Sequence, residues 1–166
     1  MIFRYFVILT LIFIISCVQQ QEIQIETTGV VNMKLTSSAF QNNGAIPSEY
    51  TCDGSDLSPL LEISDIPSNA KSLALVMDDP DAPVGTWDHW VVFNMPTTIK
   101  EIPEGTEPKG TAGRNSWGRT GYGGPCPPSG THRYFFKLYA LDTELNLQES
   151  ATKKDLERAM QGHILS

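Results

Sequence analysis

The sequence predicts a mostly β domain closed by a single amphipathic helix, and three features of the chain predict it. Short apolar runs of strand length recur at Lys71–Met77, Trp90–Met95 and Tyr134–Leu141, each bounded by proline, glycine or polar residues. A helical period appears only near the C-terminus. The connecting stretches are rich in turn residues, with 13 glycines and 11 prolines among 166 residues. That length suits one domain with a sizeable core, not two.

Taken in order, Met33–Phe40 begins like a strand and stops at the Asn42-Asn43-Gly44 turn. Ile46-Pro47 and the polar loop Tyr50-Thr51-Cys52-Asp53-Gly54 follow. Between Pro59 and Pro67 the apolar Leu61 and Ile63 alternate with polar neighbours, which suits a short edge strand. Lys71–Met77 runs into Asp78-Asp79-Pro80-Asp81-Ala82-Pro83, where neither sheet nor helix is expected to continue. Trp90–Met95 reads as a buried strand closed by Pro96. Thr97–Gly121 is a long surface excursion, and long loops in compact domains are usually functional. Gly121, Gly123, Gly124 and Gly130, with Pro125, Pro127 and Pro128, make a stiff loop that feeds the last strand through His132-Arg133. Thr152 and Asp155 open the helix, and its apolar stripe is Leu156, Ala159, Met160, His163 and Ile164, with His163 packing on or capping its end.

The first residues belong to a different kind of segment. Arg4 precedes an apolar run from Tyr5 to Ile15, shorter than the roughly 20 residues that span a bilayer. The run ends Ile14-Ile15-Ser16-Cys17, which resembles a bacterial lipobox. The expectation is a leader over 1–16, lipidation of Cys17, a polar tether over 17–32 and a domain over 33–166. The protein would then sit in a bacterial cell envelope, periplasmic or on the outer surface, held to a membrane by its lipid. The formal net charge is −7, and removing Arg4 makes the chain one unit more negative. With no basic cluster on such a chain, nucleic acid is excluded as a partner.

Three polar segments stand at predicted junctions of strand and loop: Asp78–Pro83, Trp87-Asp88-His89-Trp90, and His132-Arg133-Tyr134. Their motifs, DDPDAP, WDHWVVFNMP and GYGGPCPPSGTHRYFFKLYALD, resemble the phosphatidylethanolamine-binding protein family in its bacterial Raf-kinase-inhibitor-like branch. The resemblance runs from Lys34 to Leu165 and takes in SSAF, YTCDG and the terminal AMQGHIL. It implies a large central β-sheet, a smaller second sheet, peripheral helices and a small anion-binding pocket. Carried onto this chain, the pocket residues are Asp79, His89, His132 and Tyr134, with Pro83, Trp87 and Gly124 as walls and floor. It also implies a cis peptide at Ala82-Pro83. Leu60 and Ser64 stand where relatives more often carry Pro and Trp. Ser116-Trp117 replaces the usual Asp-Phe, which changes the rim.

The same residues carry their own chemistry. A buried carboxylate beside two imidazoles favours their protonated forms, Tyr134 offers a hydroxyl, and the glycine loop can present backbone N–H groups as an anion nest. The matching ligand is a phosphate or phosphomonoester, from a phospholipid headgroup or a phosphorylated metabolite, with Asp79 accepting from a protonated phosphate oxygen. Binding is expected to be strongest at mildly acidic pH. A facial metal site is the rival reading of two histidines and a carboxylate, but Arg133 is a poor neighbour for a cation. A hydrolase using Ser129 lacks a G-x-S-x-G elbow. No nucleophile is marked with its base, so the chain reads as a binder, not an enzyme, with no cofactor and no metal. The alternative is an interaction protein that inhibits a kinase or protease, the pocket reading its partner. Cys52 and Cys126 can form a disulfide, which an exported protein would keep, contributing about 4 kcal/mol in the chain-entropy account; free buried thiols are the other reading.

Overall fold

The computed structural model describes residues 32–166. The leader, Cys17 and nearly all of the tether lie outside the described residues. Two antiparallel sheets and one helix form three layers. The smaller sheet has the order β1 (Lys34–Thr36), β2 (Leu61–Ser64), β5 (Glu101–Ile102). The larger has the order β6 (Thr111–Ala112), β4 (Trp87–Met95), β3 (Ser72–Asp79), β7 (Phe135–Leu141). The helix α1 (Lys153–Met160) follows the last strand.

Because side chains alternate across a strand, β3 serves two cores at once. Leu73, Leu75 and Met77 face the smaller sheet and pack with Leu61, Ile63, Ile102, Trp90 and Val92. Ala74 and Val76 face the other way and pack with Val91, Phe93 and the helix residues Leu156 and Met160. All eight residues of β3 are buried. This explains why its sequence reads as a continuous apolar run. The helix starts with the expected device: Thr152 and Asp155 form a capping box.

Several boundaries differ from the sequence reading. β2 is the middle strand of its sheet, not an edge, because the two-residue β5 from the supposed surface excursion pairs with it. The same excursion supplies β6 to the edge of the larger sheet. β3 continues through Asp78 and Asp79, since cross-strand pairing with Asp88 and Trp87 satisfies the backbone of both aspartates. β4 starts at Trp87, so His89 is a strand residue. His163 lies beyond the helix, half-exposed, where its Nδ1 pairs with Asp142 at 2.8 Å. The final residues leave the helix to bond the outer edge of β7, with the Leu165 N–H donating to the Ala140 carbonyl at 2.8 Å.

Phe93 is fully buried on the helix side of the larger sheet. Phe93→Ala is expected to destabilise the fold by about 3–5 kcal/mol in urea unfolding. A loss under 1 kcal/mol would mean that the helix layer contributes little to the core.

Candidate functional site

The site begins with an irregularity in the pairing of β3 and β4. Met77 pairs with Trp90, but the next residue, Asp78, pairs with Asp88. His89 is therefore an extra residue, a β-bulge. Without it, the alternation that buries Trp90 and Val92 between the sheets would send Trp87 and His89 to the helix side. With it, Trp87 and His89 share a face with Asp79, which pairs directly across from Trp87. His89, with no residue opposite it, bonds to the glycine loop instead. Its Nδ1 lies 2.7 Å from the Gly123 carbonyl, and the Gly123 N–H donates to the His89 carbonyl at 3.1 Å.

The segment before β7 brings the second histidine. His132 Nδ1 lies 2.7 Å from Asp79 Oδ2, with both side chains buried. The other oxygen of Asp79 accepts from the Asp81 N–H at 2.8 Å. A second tie runs parallel: Arg133 donates to Asp81 from its backbone N–H, Nε and Nη2 at 2.9, 2.8 and 2.7 Å. The guanidinium holds the Asp81 carboxyl far below the usual carboxylate range. Arg133 thus locks the β3–β4 loop and does not enter the pocket. Sequence reasoning gave it no such role, because two residues 52 apart announce no pairing.

Asp79, Pro83, Trp87, His89 and His132 line one cavity of about 310 Å³, together with Ala82, Val84, Trp117, Cys126 and Pro128. Two residues from the expected set are placed differently. Tyr134 does not line the cavity; its ring is edge-on to His89 with centroids 5.2 Å apart. Its hydroxyl is buried without a partner, and burial together with the Asp79 charge pushes its pKa up to about 12, so it stays a donor. Gly124 is turned away from the cavity. Its N–H donates to Asp56 Oδ1 at 2.7 Å, and an added Cβ would fall 2.5 Å from the Tyr50 carbonyl oxygen. With the Gly123 and Gly124 amides both engaged, the expected backbone nest does not form.

Two more expectations change. Among the described residues no peptide is cis. Ala82-Pro83 is trans because Pro83 takes the second position of a turn closed by the Gly85 N–H on the Ala82 carbonyl, where its fixed φ already fits. His89 is not predisposed to charge: desolvation lowers its pKa, outweighing the Gly123 carbonyl and Asp79. Each Asp79 oxygen holds one partner, which leaves each a second acceptor position.

What the sequence reading lacked is the wall opposite. Trp117 stands edge-to-face with both His89 and Trp87, at 5.0 and 5.5 Å between centroids. Its only signal in the sequence was the Ser116-Trp117 replacement. Ser116 explains the placement, bonding to both backbone groups of Asp88 at 2.8 and 2.9 Å and so fixing Trp117 beside β4. Cys126, on the cavity wall, is bonded to Cys52, with Cα atoms 5.4 Å apart. The Cys52 N–H donates to the Pro125 carbonyl at 3.0 Å, so disulfide and hydrogen bond clamp the same two loops.

Burial lowers the proton affinity of His89 below that of the unfolded chain, so the unfolded state takes up more protons and stability falls as pH falls through about 6.5. Between about pH 7.5 and 5, wild type is expected to lose stability more steeply than His89→Gln in urea unfolding. Equal slopes would show that His89 is not desolvated.

Comparison with known proteins matches this architecture. The phosphatidylethanolamine-binding protein family pattern fits residues 36–166. A UPF0098 protein of Methanothermobacter thermautotrophicus is 54% identical over 139 residues, covering 80% of this chain and 92% of the relative. One from Pyrococcus abyssi is 50% identical over 147 residues, covering 82% of each. Among solved structures, the phosphatidylethanolamine-binding protein homolog CT736 of Chlamydia trachomatis superposes with a TM-score of 0.78 at 44% identity, covering 81% of this chain and 91% of that one. Escherichia coli YbcL, described as a member of the mammalian PEBP family, gives 0.74 at 30% identity, covering 81% and 92%. With the pattern spanning most of its length and relatives about half identical to it, the chain belongs to the phosphatidylethanolamine-binding protein family.

Proposed function

We propose that the protein is a non-catalytic binding protein whose cavity holds a phosphate or phosphomonoester-type anion. The observation that carries this reading is the convergence of His89 and His132 on one small cavity, each with Nδ1 already held. Of each ring, Nε2 remains for a ligand. When its ring carries both protons, an Nε2–H donates to an oxyanion; when neutral, it accepts from a protonated one. Around this polar end, Pro83, Val84, Trp87, Trp117 and Pro128 form apolar walls suited to an organic substituent. Trp117, from the long excursion, forms part of the cavity wall, and this favours a small ligand.

The lipobox-like Cys17 supports a tether to a bacterial membrane in the cell envelope, and the motifs that hold Asp79, His89 and His132 support the bacterial Raf-kinase-inhibitor-like branch. A second reading, an inhibitory protein that reads a kinase or protease partner, draws on one feature: Val84 is 78% exposed at the cavity rim. Mass spectrometry of what co-purifies with wild type but not with His132→Ala separates the two.

Either route of hydrogen bonding at Nε2 needs one proton, on the imidazole or on the phosphate, and rising pH removes it from either. Calorimetric titration of inorganic phosphate is therefore expected to show affinity falling steadily from about pH 5.5 to 8. His132→Ala is expected to lose at least about tenfold, or roughly 1.4 kcal/mol. Affinity that rises with pH, or is unchanged in the variant, would refute the assignment.

A further inference from the structure

We propose that Trp117 makes the cavity selective for oxyanions that carry their own proton, admitting phosphomonoesters and excluding phosphodiesters and sulfate. The inference rests on the oxyanion reading above and narrows its ligand class. Its starting point is the orientation of His89. Nδ1 is 2.7 Å from a carbonyl oxygen, which can only accept, so Nδ1 carries the hydrogen. In the neutral ring Nε2 is then a bare lone pair. It welcomes a P–OH group and repels an oxygen without a proton.

Whether His89 stays neutral depends on its surroundings. From β3, Asp79 faces it with a negative charge that is divided between His132 and the Asp81 amide. From β4, Asp88 contributes a weaker attraction, but Lys153 pairs with that carboxylate on the helix side at 3.2 Å. The glycine loop offers the Gly123 carbonyl and the Gly124 backbone, and Tyr134 presents a ring edge-on. Each carboxylate and carbonyl here would favour an imidazolium. Opposing them is removal from water, which leaves His89 only 2% exposed.

Trp117 belongs to that cover, and it is the part that stands at the mouth. It is 43% exposed on its outer side, with the Arg119 guanidinium 5.7 Å from its ring centroid. Its seat is Gly123, where an added Cβ would lie 2.6 Å from Cζ3 of the indole. The indole and the loop that holds His89 therefore fit only because residue 123 has no side chain. An unprotonated sulfate or a phosphodiester meeting this site finds an acceptor facing its own oxygens. A monoester or free phosphate supplies the hydrogen itself. Intact glycerophospholipids are diesters, so the rule favours a terminal phosphate over a lipid headgroup.

The test is calorimetric titration of the protein at about pH 7 with inorganic phosphate, methyl phosphate, dimethyl phosphate and sulfate, alongside NMR titration of the His89 ring. Wild type is expected to bind the first two at least about tenfold more tightly than the last two. Trp117→Ala and Gly123→Ala, which remove or unseat the indole, are expected to narrow that ratio and raise the His89 midpoint, whereas Trp117→Phe keeps both. Sulfate binding within threefold of phosphate in wild type would overturn the selectivity. A ratio and midpoint unmoved in both Trp117→Ala and Gly123→Ala would overturn the role of Trp117. Failure of every anion to bind would instead sink the oxyanion reading, and this inference with it.

Discussion

The extra residue that His89 makes in β4 is the constraint on which the site depends. Strand side chains alternate with a period of two, so a strand cannot bury Trp90 and Val92 on one face and also present Trp87 and His89 there without a slip in register. The bulge at His89 supplies that slip. It also leaves the His89 carbonyl to accept from the Gly123 N–H, while the Gly123 carbonyl takes the ring Nδ1. One local irregularity therefore aims the imidazole, fixes its tautomer and anchors the glycine loop.

The loops around this point are held by ties of different chemistry. Asp79 with His132 and Asp81 with Arg133 join the β3–β4 loop to the segment entering β7. The Cys52–Cys126 bond, the Gly124 amide on Asp56 and the Tyr122 hydroxyl on the Tyr50 carbonyl join the glycine loop to residues 50–56. A cavity fixed this way loses little conformational entropy when a ligand arrives, which is the physical advantage of a preorganised site.

Asp78 and Asp79 show how a strand assigns opposite fates to neighbours. Asp79 looks into the cavity region and is divided between His132 and a backbone amide. Asp78 looks to the helix side, where its Oδ2 accepts from Lys137 and Lys153 at 2.7 and 2.5 Å and its Oδ1 has no partner. Lys153 sits in the first turn of α1, where the helix dipole disfavours a cation. Burial also disfavours its charge, but Asp78 and Asp88 outweigh both and hold its pKa above the ordinary lysine value. The helix is thereby pinned behind the bulge by charge as well as by Leu156 and Met160. The two charge systems are kept apart by the thickness of the sheet.

The sequence by itself determined the fold class, the buried central strands, the capped final helix and the motifs that hold Asp79, His89 and His132. These are legible because they follow from local periodicity, turn chemistry and contiguous motifs. It did not reveal β5 and β6, two-residue strands whose pairing partners are distant in the chain. Nor did it reveal the bulge, since a slip in register exists only between two strands. The tautomer of His89, the engagement of the Gly124 amide, the exclusion of Arg133 from the cavity and the presence of Trp117 in its wall were likewise decided by tertiary structure. Each depends on a contact between segments tens of residues apart, and alternation along a single strand carries no information about what lies across from it.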